Sequence, residues 1–283
     1  MWVVKASGKM EKFNEKKLRR TMLRAGADKK TAEEVVKEVK RRAKDGITTK
    51  QILELALRIL DRKMPHVAAR YDLKGSIMRL GPAGYIFEKY FAAVLKEHGY
   101  LTRQHRMIKG SCVIHEIDVT ADKEVRTEAY VKKVQHYMIE LKFHHSPGIY
   151  TGLKETLYTY ARFLDLQEGW KKGLCEKFDQ PWLVCNTKFS GDAIKYANCK
   201  NLRLLGWVYP TREGLVDMIE SKKLYPLTSI KGVDRNILKQ FADANILLCK
   251  DLLKMNIDVI SKKTKIPKTK LQDFIKQAES LCA

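Results

Sequence analysis

The sequence predicts an α/β multidomain protein with three parts: a mostly helical segment at residues 1–80, an α/β segment at 84–222 and an all-α segment at 226–283. Three observations predict this division. The length of 283 residues suits two or three domains of ordinary size. Pro and Gly interrupt a helical pattern at residues 81–84. Strand-like alternation is concentrated between residues 113 and 208.

The charge is strongly positive, with 55 Lys and Arg against 33 Asp and Glu and a formal net charge of +22. Residues 1–80 alone carry 22 basic and 10 acidic side chains. Positive charge attracts polyanions and releases their counterions, so a nucleic acid is the expected partner. A solvated, Lys-rich surface is the alternative.

Membrane insertion and secretion are not expected. No stretch reaches the roughly 18 apolar residues of a spanning helix, and the first residues lack a charged segment followed by an apolar one. A cytoplasmic protein is therefore predicted. The six cysteines form no CxxC pair, which favours reduced thiols; a bridge between Cys175 and Cys199 is the alternative.

The N-terminal segment begins with two short strand-like stretches, at residues 2–5 and up to Phe13, separated by a turn at Gly8. Helices follow. Their first residues are predicted from polar N-cap side chains, namely Asn14, Asp28 and either Thr48 or Thr49. The segment is therefore expected to be a small sheet with a helical bundle.

Four stretches of this segment resemble the ATP-cone, the nucleotide-sensing module of ribonucleotide reductases and their transcriptional regulators: VVKASGKMEKF from residue 3, KL at 17, DGITT at 45 and AARY at 68. Lysines meet phosphates, and a glycine turn lets the backbone approach them. The resemblance implies ATP or dATP as a regulatory ligand. The implied nucleotide-binding residues are Val3, Lys5, Lys9, Glu11, Asn14, Lys17 and Thr49, with Arg79 nearby. Ala6 departs from the basic residue common there, and a helical bundle that only binds DNA is the alternative.

The central segment predicts a mixed α/β layer. The expected elements are helices at 85–97, 151–166 and 191–197 and strands at 113–120, 135–143, 182–186 and 202–208. Alternation in the second strand puts Glu140 and Lys142 on one face, and a neighbouring strand brings Asp118 beside them. Helical spacing places Glu88 near the buried face, where a carboxylate needs a partner. Carboxylate oxygens suit Mg²⁺ or Mn²⁺, although an isolated E-x-K triplet is more often a salt bridge.

The order of these elements resembles the PD-(D/E)xK restriction-endonuclease-like nucleases, especially the archaeal branch related to Mrr-type endonucleases. The run WLVCNTKFSGDA from residue 182 and LLGW from 204 are similar to the second half of that fold. The resemblance implies that Asp118 and Glu140 bind the metal, Lys142 orients water and Glu88 is the helix carboxylate. Lys154 and Tyr158 are candidates for contact with a phosphate or with the metal site, with an exposed Lys and a core-edge Tyr as the alternative. His144 and His145 are interpreted as loop residues near the DNA path, with a catalytic role as the alternative.

The last segment resembles tandem helix-hairpin-helix domains, with hairpins at residues 230–234 and 264–267. Such hairpins contact DNA phosphates through backbone N–H groups. The implied DNA-binding residues are Gly232, Lys263, Lys265 and Lys268, together with Lys154 of the central segment. Asp234 replaces a usual glycine, where it either repels a phosphate or caps the next helix.

Together these features predict a metal-dependent DNA endonuclease that hydrolyses phosphodiester bonds and responds to ATP or dATP. A homodimer is expected, because cutting both strands requires two sites. The alternative is a nucleotide-responsive DNA-binding regulator without catalytic activity. The DNA substrate is left open by the sequence.

Overall fold

The computed structural model describes residues 1–81, 84–126 and 132–283. These residues form two compact units, one of residues 1–79 with 225–283 and one of residues 80–224. Pro82 and Ala83 of the predicted boundary lie outside the described residues. Within the described part of the chain, no helix is both long and apolar enough to span a membrane.

The N-terminal part of the first unit is a small sheet followed by helices. Its elements are β1 (Trp2–Val4), β2 (Met10–Lys12), α1 (Glu15–Arg24), α2 (Lys29–Arg42), β3 (Ile47–Thr48), α3 (Thr49–Lys63), α4 (Pro65–Tyr71) and α5 (Leu73–Met78). β1 pairs antiparallel with β2 and parallel with β3. The predicted N-caps are confirmed, since Asn14, Asp28 and Thr48 each accept a backbone N–H from the first turn of the following helix.

The apolar stripe of α2 explains why these helices associate. Ala32, Val35 and Val39 recur at helical spacing and are fully buried, packing with Met22 of α1 and Leu60 of α3. The lysines and arginines of this segment lie largely at the surface, and several of them form ion pairs there, such as Lys40 with Glu15.

The second unit is built on a five-stranded mixed sheet. Its elements are α6 (Gly84–Glu97), β4 (Leu101–Lys109), β5 (Ile114–Arg126), β6 (Lys132–Lys142), β7 (Tyr150–Thr151), α7 (Leu153–Lys171), β8 (Gln180–Cys185), β9 (Lys188–Phe189), α8 (Gly191–Cys199), β10 (Arg203–Leu205) and α9 (Leu215–Ser221). The strand order is β10-β8-β6-β5-β4, and β7 pairs with β9 in a separate small sheet. The mixed α/β character is confirmed, whereas β4, β7 and β9 were not predicted.

Strand pairing brings the ends of β5 and β6 to one place. β4, β5 and β6 form an antiparallel meander, and β6, β8 and β10 run parallel. The β5–β6 ladder runs from Arg126–Lys132 to Val119–Ile139. Asp118 and Glu140 are each the next residue beyond that last pair, so the register places both at the same end of the ladder.

The C-terminal part of the first unit is helical. A short 3₁₀ turn (Leu227–Ser229) precedes α10 (Arg235–Asp243), α11 (Cys249–Lys254), α12 (Ile257–Thr264) and α13 (Lys268–Cys282). Asp234 caps α10 by accepting the Ile237 N–H at 2.9 Å, which confirms the capping alternative. Arg70 of α4 donates to the Leu281 carbonyl at 3.0 Å, so this part packs on the N-terminal helices. All six cysteines are free thiols.

Candidate active site

Three carboxylates from three elements share one electrostatic environment. Glu88 comes from α6, Asp118 from β5 and Glu140 from β6. The Glu88 and Glu140 side chains are only 16% and 19% exposed. The charge of Asp118 acts on both of them. The three acids predicted from the sequence are therefore neighbours in the structure.

Burial favours the neutral, protonated form of these three carboxyl groups. Burial, and then the charge of Asp118, raises the pKa of Glu88 to about 7. The same two causes raise the pKa of Glu140 to about 7. Burial also raises the pKa of Asp118, against the hydrogen bond from the Leu141 backbone N–H that lowers it. Positive charge is consequently stabilising in this cluster.

Lys142 lies at the end of β6, two residues beyond Glu140, and its side chain is exposed. In the parallel pairing of β6 with β8 its partner is Cys185. The charge of Lys142 lowers the pKa of Glu140. The amine therefore acts on the carboxylate cluster while remaining accessible to solvent.

Arg162 of α7 is a member of the site that the sequence analysis missed. Its Nη1 donates to Glu140 Oε2 at 2.5 Å and to the Glu116 carbonyl at 2.8 Å. Its Nη2 donates to the Tyr158 hydroxyl at 2.6 Å. Lys154, Tyr158 and Arg162 follow each other at intervals of four, which is one face of a helix. Extending the Lys154–Tyr158 pair by one more turn identifies Arg162 from sequence.

His105 of β4 is a second missed residue. Its Nε2 lies 3.5 Å from Glu88 Oε2, and its Nδ1 lies 3.6 Å from Glu116 Oε1. Its φ of +48° is left-handed, although it lies inside a strand. Since histidine has a side chain that makes this region costly, the conformation is held by its surroundings. No sequence pattern indicates that His105 lies beside these carboxylates.

The chemistry of the carboxylates fits a hard divalent cation. Among the described residues, no group of three or more His, Cys, Asp or Glu side chains is arranged to hold a metal ion. Mg²⁺ is commonly held by only one or two carboxylates together with waters and substrate phosphates. Asp118 and Glu140 are two such carboxylates on adjacent strands, and the charge of Asp118 raises the pKa of Glu140.

The remaining predicted residues of this unit have defined places. Lys154 and Tyr158 are exposed on α7. His144 packs against the small β7–β9 sheet, where its Nε2 is 2.8 Å from Thr151 Oγ1 and its N–H donates to Asn186 Oδ1 at 2.8 Å. Burial lowers the pKa of His144. These bonds fix the chain two residues after Lys142.

Four of the seven predicted nucleotide residues, Val3, Lys5, Lys9 and Glu11, lie on the β1–β2 hairpin. Lys5 Nζ lies 2.5 Å from Glu11 Oε2, and this contact, with weaker contributions from the charges of Lys17 and Lys9, lowers the pKa of Glu11. Three predicted lysines are thus near one another. Of the other predicted residues, Val3 is buried and pairs with Glu11, the Asn14 side chain caps α1, and Thr49 is exposed at the first turn of α3. Arg79 pairs with Asp72 at 2.8 Å.

The predicted DNA-binding residues of the last segment lie at its turns. Gly232 has a left-handed φ of +85° in the turn before α10. Lys263 is exposed near the end of α12, and Lys265 has a left-handed φ of +62° between α12 and α13. Lys268 begins α13 and forms an ion pair with Asp258. Exposed lysines are therefore present at the second turn. At the first turn the Lys231 N–H donates to Gln277 Oε1 at 2.9 Å.

Comparison with known proteins identifies two parts of the chain. Residues 1–73 match the ATP cone domain, which confirms the predicted ATP-cone segment. Residues 225–282 match the C-terminal domain of AF1548-like proteins. The helix-hairpin-helix interpretation of this segment stays a prediction.

Two comparisons show the family. An Archaeoglobus fulgidus protein described as uncharacterized is 44% identical over 162 residues, which are 57% of this chain and 83% of the relative. The crystal structure of AF1548, a protein of unknown function, is 38% identical and superposes with a TM-score of 0.58 over 71% of this chain and 98% of that chain. The first segment of the chain is an ATP-cone domain. The chain belongs to the AF1548-like family.

A restriction endonuclease was also found among solved structures. MspJI in complex with a 27-mer oligonucleotide is 12% identical and gives a TM-score of 0.32 over 56% of this chain and 36% of that chain. A TM-score of 0.32 does not establish that the two proteins share a fold.

Proposed function

We propose that this protein is a metal-dependent DNA endonuclease that hydrolyses phosphodiester bonds. The observation that supports the proposal best is the cluster of Glu88, Asp118 and Glu140 from α6, β5 and β6. Burial raises the pKa of all three carboxyls, and the charge of Asp118 further raises the pKa of the other two. Strongly perturbed acids beside a basic residue are typical of catalytic sites. Lys142 provides that basic residue.

In this proposal Asp118 and Glu140 hold one Mg²⁺ or Mn²⁺. A bound divalent ion neutralises charge on the phosphate and lowers the pKa of its water. Asp118 is held in place by the hydrogen bond that its Oδ2 accepts from the Leu141 N–H at 2.8 Å. Lys142, accessible at the end of β6, orients the attacking water. Glu88 contributes a further carboxylate that accepts a proton or a hydrogen bond near neutral pH.

DNA is the proposed substrate because the chain carries a net charge of +22. Lys154 on α7 and Gly232, Lys263, Lys265 and Lys268 in the last segment supply the phosphate contacts in this proposal. Such contacts are independent of base sequence and weaken as salt rises.

Nucleotide binding at the cone is the proposed regulation. ATP or dATP, held by the lysines around Glu11, changes either the association of two chains or the access of DNA to the carboxylate cluster. A homodimer is proposed, since two sites are needed to cut both strands of a duplex.

Cleavage assays with matched variants test the proposal. Asp118→Asn and Lys142→Ala are compared with wild type on plasmid, single-stranded, flap and junction DNA, each with Mg²⁺ or Mn²⁺. Lys133→Ala is the control, because it removes another exposed lysine from the same strand. Loss of cleavage in the first two variants alone supports the nuclease. If wild type cleaves none of these substrates and all variants bind DNA alike, the catalytic proposal is wrong and a nucleotide-responsive DNA-binding regulator remains.

A further inference from the structure

Arg162 presents a buried positive charge to the carboxylate cluster. Its side chain is only 11% exposed. Besides its bonds to Glu140, to the Glu116 carbonyl and to Tyr158, its guanidinium carbon lies 4.7 Å from the centre of the Tyr158 ring. Its Nε is buried and has no hydrogen-bond partner within the described part of the protein. The guanidinium is thus bound on one edge and unsatisfied on another.

The same guanidinium brings its positive charge to a proposed metal ligand. Its Nη1 donates to Oε2 of Glu140, whose side chain is only 19% exposed. Arg162 therefore supplies to this carboxylate part of what a bound cation would supply.

A divalent ion bound through Glu140 would need an oxygen that already accepts a hydrogen bond from Arg162. Glu140 Oε2 accepts the Arg162 N–H at 2.5 Å, and an ion bound through that carboxylate brings a second positive charge into the same space. Two cations this close repel each other strongly in a poorly hydrated site. The Tyr158 hydroxyl and ring offer the guanidinium an anchor that does not involve Glu140.

We propose that Arg162 is the internal competitor of the metal: the divalent ion binds Glu140 by displacing the guanidinium, which stays anchored on Tyr158 and pairs with a phosphate oxygen of the bound DNA. The proposal rests on the metal-dependent nuclease function proposed above. Arginine suits this exchange, because its planar fork matches carboxylate and phosphate oxygens alike. It assigns Arg162 a catalytic role in addition to Lys142.

Direct metal titration tests the competition without relying on cleavage. Free Mn²⁺ is followed by electron paramagnetic resonance during titration of the full chain at about pH 8.5, so that protons do not replace the metal. Arg162→Gln is expected to bind Mn²⁺ about tenfold more tightly than wild type, the size of a typical coupling between two sites. In the same variant DNA cleavage is expected to fall about 10²-fold, as on loss of one donor to transition-state charge. If Arg162 had only a structural role, its replacement would weaken both Mn²⁺ binding and DNA cleavage.

Two further variants make the result unambiguous. Arg103→Gln is the control, since Arg103 pairs with Asp122 at 3.1 Å on the neighbouring strands and is half exposed; it should change neither quantity. Arg162→Lys keeps the charge and should retain the Mn²⁺ affinity of wild type. Thermal unfolding with and without Mn²⁺ shows whether Arg162→Gln is folded, and a larger Mn²⁺-induced rise in its Tm than in that of wild type supports the proposal.

Unchanged or weaker Mn²⁺ binding in Arg162→Gln overturns the competition, as does an absence of binding in both proteins. These outcomes are separable from the fate of the nuclease proposal. If wild type cleaves DNA but Arg162→Gln binds Mn²⁺ no more tightly than wild type, the nuclease proposal stands and the competition is wrong. If Arg162→Gln binds Mn²⁺ more tightly but wild type cleaves no DNA, Arg162 still competes with the metal for Glu140. In that case both the nuclease proposal and the phosphate contact of Arg162 are wrong.

Discussion

His105 Nε2 lies 3.5 Å from Glu88 Oε2, which links the first strand of the central sheet to the helix that precedes it. The charge of His105 lowers the pKa of Glu88 but does not overcome burial and Asp118, which raise it to about 7. Glu88 is therefore protonated in a substantial share of molecules at neutral pH. A neutral carboxyl donates as well as accepts hydrogen bonds.

Replacing Glu88 by Gln should flatten the dependence of stability on pH. A carboxyl whose pKa rises from 4.5 to about 7 on folding stabilises the folded state fully below pH 4.5, and this contribution is lost as the pH rises through 7. The shift corresponds to on the order of 3 kcal/mol at about 1.4 kcal/mol per unit. Glu88→Gln should therefore exceed wild type in free energy of unfolding at about pH 8 and match it near pH 4, measured by urea denaturation.

Glu168→Gln provides the comparison for that measurement, because Glu168 is an exposed glutamate on α7 of the same unit. Its profile should follow that of wild type. If Glu88→Gln also follows wild type across the whole range, the carboxyl is not perturbed as described and Glu88 loses its place in the proposed chemistry.

Much of the site follows from local sequence patterns. Period-two alternation places Glu140 and Lys142 on one face of a strand, and N-cap chemistry fixes the starts of α1, α2 and α3 at Asn14, Asp28 and Thr48. These features depend on neighbours within a few residues. That is why a single sequence suffices to predict them.

Other features depend on contacts between distant parts of the chain. The left-handed backbone of His105 arises within the pairing of β4 with β5, where the rungs Gln104–Val119 and Arg106–Ile117 flank it. Arg162 reaches Glu140 only because α7 packs on the sheet. β4 itself was missed, because most of its residues are polar or exposed at the edge of the sheet and give a weak apolar signal.

Nucleotide affinity should depend on the lysines around Glu11. Lys5→Ala and Lys9→Ala are each expected to weaken ATP binding about tenfold, the loss of one hydrogen bond to a charged group. Isothermal titration calorimetry measures the affinity. Lys37→Ala removes an exposed lysine of α2 and should leave it unchanged. Equal weakening by all three variants would mean that only net charge, and not the hairpin, attracts the nucleotide.

The Asp234 cap should contribute measurably to stability. Asp234→Ala removes the bond to the Ile237 N–H and is expected to lower the free energy of unfolding by about 1 kcal/mol, whereas Asp234→Asn keeps an acceptor and should cost a few tenths. Asp243→Ala breaks only the exposed pair with Lys239 and should be nearly silent. Chemical denaturation compares the three. Identical losses in the Ala and Asn variants would show that Asp234 does not act as a cap.

Lys265 separates backbone conformation from charge at the turn between α12 and α13. Its φ of +62° is costly for lysine and easy for glycine. Lys265→Gly should therefore be as stable as wild type or up to about 1 kcal/mol more stable. If Lys265 contacts a phosphate, the same variant should lower DNA affinity and reduce the slope of log affinity against log salt by about 0.9. Lys262 lies within α12, where glycine is unfavourable, so Lys262→Gly should instead be less stable than wild type. A Lys265→Gly protein that keeps both its affinity and its salt slope would remove this turn from the proposed DNA surface.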